Sequence, residues 1–139
     1  MTTVIWVDTS VLAYAAGGTH PQREHCRQLV AAAAARRLEL HASVEMVQEL
    51  LFHRMRRTSR AEAVAQARFA AGLCVLHPFD GAVLNRALEL VAVSGLGGRD
   101  AVHAASALVA GFTEIVSADR DFDAVPGLLR QDPMEFRVG

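Results

Sequence analysis

A chain of 139 residues, 52 % of them hydrophobic, is long enough to bury a substantial core, and one domain spanning residues 1–139 is expected. Its net charge of −1 argues against a protein that coats nucleic acid non-specifically, though not against an enzyme acting on RNA. The longest apolar run, residues 29–35, falls far short of a membrane span, no basic lead-in precedes the first apolar residues, and Cys26 and Cys74 read as reduced thiols, so a soluble cytoplasmic protein without a membrane association is expected.

Val4-Ile5-Trp6-Val7 is apolar throughout, the pattern of a central parallel strand buried on both faces. It stops at Asp8, and Thr9 or Ser10 is placed near the N-cap of a helix that follows. Open α/β sheets bind ligands at the carboxyl ends of their strands, so Asp8 is either a site residue or an ordinary Asx-turn or N-cap residue. Gly17-Gly18 break the chain, and Pro21 falls in the first turn of a helix predicted to reach position 37. Residues 38–42 alternate as a second strand. Ser43 caps a helix to position 57 with Val44, Val47, Leu51 and Met55 on its apolar face. Ser59 and Glu62 make a capping box for the next helix, which ends at Gly72. Residues 73–76 form a third strand, and Asp80 caps a helix with a stripe of Val83, Leu84, Ala87, Leu88 and Val91. A glycine-rich loop leads to Asp100 and an alanine-rich helix over 101–110, stopped by Gly111. Residues 114–117 are a fourth strand, and 128–130 allow an edge strand. This alternation predicts an α/β fold, a three-layer α/β/α sandwich around a central, mostly parallel sheet.

Asp8 and Asp119 each follow a strand, so both lie at the carboxyl edge of one sheet, and the loop before Asp100 can bring it to the same edge. At about 4 Å separation each like-charged pair costs on the order of 4 kcal/mol at an effective dielectric near 20, so such a cluster protonates or splays unless a cation sits within it. Oxygen donors without soft ligands suit Mg²⁺ or Mn²⁺. A metal held this way lowers the pKa of bound water and offsets charge on a phosphate, the chemistry of phosphodiester hydrolysis. The sequence has no GxSxG and no GxxxxGK[ST], and Gly95-Leu96-Gly97-Gly98 lacks the strand that a dinucleotide loop follows. Arg54, Arg56, Arg57 and Arg60 form a basic cluster, read either as a solvated helix end or as phosphate contacts. His103, one helical turn beyond Asp100, reads as a core or surface histidine.

Asp8-Thr9-Ser10-Val11, Arg99-Asp100-Ala101-Val102-His103-Ala104-Ala105 and Ser117-Ala118-Asp119-Arg120-Asp121-Phe122-Asp123, in this order, resemble the PIN-domain ribonucleases. Within them, size and order resemble the VapC-type toxins of toxin–antitoxin pairs, over essentially the whole chain. The resemblance implies a Mg²⁺- or Mn²⁺-dependent endoribonuclease with an RNA substrate, a homodimer, and a cognate antitoxin laid into a groove near the site. By position it assigns Asp8, Glu49, Asp100 and Asp119 as the catalytic acids. Asp121 would touch metal or cap a short helix, and Asp123 would be a surface residue. Glu49 rests on the resemblance alone: the projected stripe leaves it solvated, and Glu45 competes for the role. Thr9 and Ser117 would orient Asp8 and Asp119, Arg54, Arg56, Arg57 and Arg60 would hold substrate, and the small-residue faces of the first two helices would suit a dimer. The second reading is a non-catalytic PIN-like binding module acting through its partner. An aspartyl-nucleophile phosphatase needs an acid two residues after the first, where Ser10 stands.

Overall fold

The computed structural model describes residues 2–138. Strand β1 (Thr3–Trp6) runs parallel to β2 (Leu38–Ser43), with Trp6 opposite His41, and β2 runs parallel to β3 (Cys74–His77), with Ser43 opposite His77. Strand β4 (Glu114–Val116) pairs in parallel with β5 (Leu129–Gln131). A parallel bridge between Val7 and Val116 joins the two groups, and the amide of Asp8 donates to the carbonyl of Val116 at 3.4 Å. The order is therefore β3-β2-β1-β4-β5, all ladders parallel, as the alternation of elements requires.

Two apolar cores flank this sheet. One gathers Ile5, Val7 and Leu40 against α1 (Thr9–Ala16), α2 (Arg23–Ala34) and α3 (Val44–Met55), with Ala70 from α4 (Arg60–Leu73). The other gathers Trp6 and Ile115 against α5 (Gly81–Val93) and α6 (Gly98–Val109), with Phe122 from a 3-10 helix (Arg120–Ala124). The expected three-layer α/β/α sandwich is the observed fold. Among the described residues no helix is long and apolar enough to cross a membrane, and Cys26 and Cys74 are free and buried.

Several local expectations shift. Val4 at the start of β1 is exposed, so only the end of that strand is covered on both faces. Helix α1 is capped by Asp8, the N-cap role open to it from sequence, rather than by Thr9 or Ser10. Helix α2 begins at Arg23, two residues after Pro21, and ends at Ala34, not position 37. Its end is a Schellman turn: Arg36 takes a left-handed φ of 61°, the amide of Arg37 reaches Ala32 O, and that of Arg36 reaches Ala33 O. Gly111 ends α6 the same way, at φ 89° with Phe112 N on Ala107 O, as its sequence position suggested.

The largest corrections concern helix faces. Helix α3 buries Met46, Leu50 and Arg54, while Val44 and Met55 of the projected stripe are exposed. Helix α5 buries Val83, Ala87 and Leu90, leaving Leu84, Leu88 and Val91 on the surface. Ala87 meets an alanine-rich partner, α6, whose Ala101, Ala104, Ala105 and Ala107 are all buried, so close packing covers a narrower arc of α5 than its apolar pattern offers.

Candidate active site

The carboxyl ends of β1 and β4 bring two motifs together. Asp8 follows β1 directly and is buried. Its Oδ1 accepts from the Ser10 amide at 3.2 Å and the Ser10 hydroxyl at 2.6 Å. Ser10 Oγ in turn accepts from the amide of Ala118 at 3.2 Å and lies 3.5 Å from Ser117 Oγ, which accepts from the amide of Asp119 at 2.9 Å. The hydroxyls thus tie the two strand ends into one unit. Ser10, rather than the buried Thr9, supplies the hydroxyl that holds Asp8. Ser117 acts on the backbone of Asp119, whose own Oδ1 accepts from Asp121 N at 2.9 Å and so caps the 3-10 helix. Asp119, not Asp121, is therefore the residue that caps this helix. Asp123 is exposed and paired with Arg130, whose guanidinium also donates to Ser117 O, bracing the segment.

Asp100 stands in the first turn of α6, which begins at Gly98, three residues earlier than projected. One oxygen each of Asp100, Asp119 and Asp121 lie within 4.8 Å of one another. Asp8, Glu49, Asp100 and Asp119 all line one cleft of about 450 Å³; Asp8 does so without joining that closer trio. Burial pushes the Asp8 carboxyl up to about 6 against the lowering effect of the Ser10 and Ser117 hydroxyls. Burial first, then the charge of Asp119, pushes Asp100 up to about 6. Hard oxygen donors this close together, beside the buried Asp8, are a donor set whose mutual repulsion a divalent cation relieves. The trio offers the spacing and chemistry of a metal site.

Glu49 reaches the cleft because α3 turns Met46, Glu49, Leu50, His53 and Arg54 inward, at spacings of three and four, rather than the aliphatic stripe. His103 Nε2 lies 3.0 Å from Glu49 Oε2, and His103 Nδ1 lies 3.0 Å from Ser43 Oγ, the N-cap of α3. The hydrogen bond with His103 holds the Glu49 carboxyl below its usual range. Burial alone would lower His103, but its bond to Glu49 and the charges of Glu49, Asp8 and Asp100 outweigh that and raise it. His103 is a core residue, as read from sequence, yet one tied to the site. Glu45 does not line the cleft.

The basic cluster divides. Arg54 is buried, donates through Nε to Gln66 Oε1 at 2.8 Å, and lines the cleft with Arg57 and His53. A Cβ on Gly17 would meet Arg54 Nη1 at an ordinary 3.6 Å but would crowd the backbone oxygen of Ala13 at 3.1 Å, so glycine relieves the end of α1 rather than the packing of Arg54. Arg56 sits outside the cleft over Phe52, and Arg60 is exposed at the start of α4. Sequence reasoning missed Ser10 and His53; only the inward spacing of Glu49 and His53, four apart, signals the latter.

Comparison with known proteins completes the site's context. The family model described as PIN domain matches residues 5–128. The chain is 42 % identical over 122 residues to ribonuclease VapC7 of Mycobacterium tuberculosis, covering 86 % of this chain and 84 % of that protein. It is 30 % identical over 131 residues to ribonuclease VapC13 of the same organism, covering 91 % and 98 %. Among solved structures, DNA-bound VapBC from Salmonella typhimurium superposes with a TM-score of 0.73 at 17 % identity, covering 96 % of this chain and 99 % of that one. VapC20 of Mycobacterium tuberculosis, described as a sarcin-ricin loop cleaving toxin, superposes with a TM-score of 0.72 at 19 % identity, covering 86 % and 92 %.

Proposed function

Because this chain belongs to the VapC family of PIN-domain ribonuclease toxins, we propose that its acid-lined cleft is where it cuts RNA internally, by hydrolysis that depends on Mg²⁺ or Mn²⁺. The observation that carries this reading is the convergence of Asp100, Asp119 and Asp121 oxygens within 4.8 Å beside the buried Asp8. Asp8, Asp100, Asp119 and Asp121 would hold the ion. When bound, it supplies a Lewis acid that lowers the pKa of water and offsets charge on the phosphate.

The chain's own groups do the rest. Glu49 is ionised at neutral pH and keeps Oε2 on His103, which leaves Oε1 to accept a hydrogen bond from an attacking water and aim it. His103 is the positioning residue for Glu49. Arg54 and Arg57 line the cleft and would meet phosphate oxygens, fixing the strand without choosing its sequence. Arg56 and Arg60 lie further out and would act on flanking phosphates.

A cognate antitoxin is the proposed partner, supported by toxin–antitoxin complexes among the structural neighbours. It would lay an apolar segment in the groove of about 630 Å³ that Leu12, Ala15, Val30, Ala31 and Phe69 line between α1, α2 and α4. The small-residue faces of α1 and α2 border that groove, so the proposed homodimer is better served by the exposed Leu84, Leu88 and Val91 of α5. Free, buried cysteines support a cytoplasmic setting.

The test is cleavage of total RNA by the purified, partner-free protein with Mg²⁺ or Mn²⁺, beside EDTA and an Asp8→Asn variant. Discrete cuts that vanish in both controls are expected. Intact RNA from folded, metal-binding protein would overturn the reading in favour of a binding module.

A further inference from the structure

A second pocket, of about 270 Å³, adjoins the acid cleft and shares Glu49 with it; Gln48, Phe52 and Arg99 form its other walls. Phe52 is 51 % exposed, although it stands on a helix that buries Met46, Leu50 and Arg54 on its inner side. A single exposed aromatic is ordinary, but the surroundings of this one are not. The Arg56 guanidinium lies over the ring, 5.7 Å from its centroid, and Arg99 in the first turn of α6 faces it across the pocket. Glu49, Phe52 and Arg56 are three and four residues apart, so they form one stripe running outward along α3 from the acids.

The pocket therefore offers an exposed aromatic ring, the Arg99 cation, the Gln48 amide and, at its inner wall, the Glu49 carboxylate, with Arg56 just outside it over the ring, beside the proposed point of hydrolysis. An unstacked nucleotide presents the complement: a flat base between two phosphates. An acidic peptide would answer the arginines but bring nothing for the ring.

We propose that this pocket is a nucleobase subsite, in which a base next to the cleaved phosphate stacks on Phe52, Arg56 and Arg99 engage the flanking phosphates, and the Gln48 amide meets the base edge. The inference rests on the ribonuclease reading of the cleft and adds where the substrate is gripped.

The test uses full-length protein in an Asp8→Asn background, so that RNA is bound but not cut. Fluorescence anisotropy follows a short fluorescein-labelled single-stranded RNA of mixed sequence and an abasic strand of equal length. Phe52→Leu should weaken binding of the RNA by about tenfold, in line with base–aromatic stacking, and leave the abasic strand unchanged. Phe52→Trp should keep the affinity, and its emission should be quenched by the RNA and not by the abasic strand, over a constant background from the buried Trp6. Arg56→Gln should weaken both strands and flatten the salt dependence. Equal RNA affinity in Phe52→Leu, shown folded by circular dichroism, overturns the subsite while leaving the nuclease standing if the unsubstituted protein still cuts. Loss of a co-purifying protein partner in Phe52→Leu, with RNA affinity intact, overturns it in favour of a protein contact. Absence of both RNA binding and cutting overturns the subsite and the nuclease together.

Discussion

His103 shows how one buried side chain can set the state of a site it does not line. It spans Ser43, the N-cap of α3, and Glu49, on α3 itself, from its own place on α6. Removing it leaves the N-cap hydroxyl and the carboxylate without their shared partner, and unpaired buried polar groups cost more than a hydrogen bond gains. His103→Ala is therefore expected to lower unfolding stability by about 2–3 kcal/mol in urea melts, whereas Glu49→Gln, which still offers an oxygen to the imidazole, costs about 1 kcal/mol or less. The acids make the opposite trade. Asp8 and Asp100 both have folded values near 6 against an ordinary 3.8. Between those values the unfolded chain gives up protons that the folded chain keeps, so metal-free stability falls as pH rises from about 4 to about 6 and the cost is complete above that. Thermal melts in EDTA should show this decline. Asp8→Asn should flatten it and raise the metal-free melting temperature at pH 7, while reducing the gain on adding Mg²⁺ or Mn²⁺. Activity should fall below pH 6 as protons compete for the same oxygens.

At the scale of elements, the ends of helices are where local chemistry governs. Ser43, Ser59 and Asp80 cap α3, α4 and α5 with their side chains, as the sequence suggested, because a short acceptor before a helix satisfies free amides whatever the tertiary setting. The end of α2 departs from the usual rule. Arg36 holds a left-handed conformation that glycine adopts without strain, and it is exposed. Arg36→Gly should stabilise the protein by about 0.5–1 kcal/mol in denaturant melts, with cleavage of RNA unchanged. Helix faces obey different physics. The aliphatic stripes projected on α3 and α5 are displaced, because a face is chosen by what the neighbouring layer can accept, and α3 turns Glu49 and Arg54 inward at the expense of Val44 and Met55.

For the whole molecule, the sheet order puts β1 and β4 side by side, and this adjacency builds the site. The acid cleft and the apolar groove both use residues of α1 and α3 but open between different helices. Inhibition and catalysis can therefore be separated. Ala31→Glu, an exposed position on the groove wall, puts a charge where an apolar partner would exclude water. It is expected to weaken antitoxin binding by at least tenfold and to leave cleavage by the free protein intact, as measured by pull-down and RNA cleavage side by side.

The sequence by itself determined the succession of strands and helices, the side-chain caps of α3, α4 and α5, and the three acidic segments at strand and helix ends, since these depend on neighbours along the chain. Asp8 and Asp119 could be placed at the sheet edge because a strand ending in an acid points there wherever the strand lies, and Asp100 because a glycine-rich loop leads into the start of its helix. Glu49 was not legible from spacing, and neither were the tie of His103 to it, the hydroxyl chain through Ser10, the split of the arginines or the place of Phe52. Those depend on which face α3 turns to the core and on which strands become neighbours. Both are settled by packing between segments far apart in the chain, where burial and close fit outweigh the local pattern.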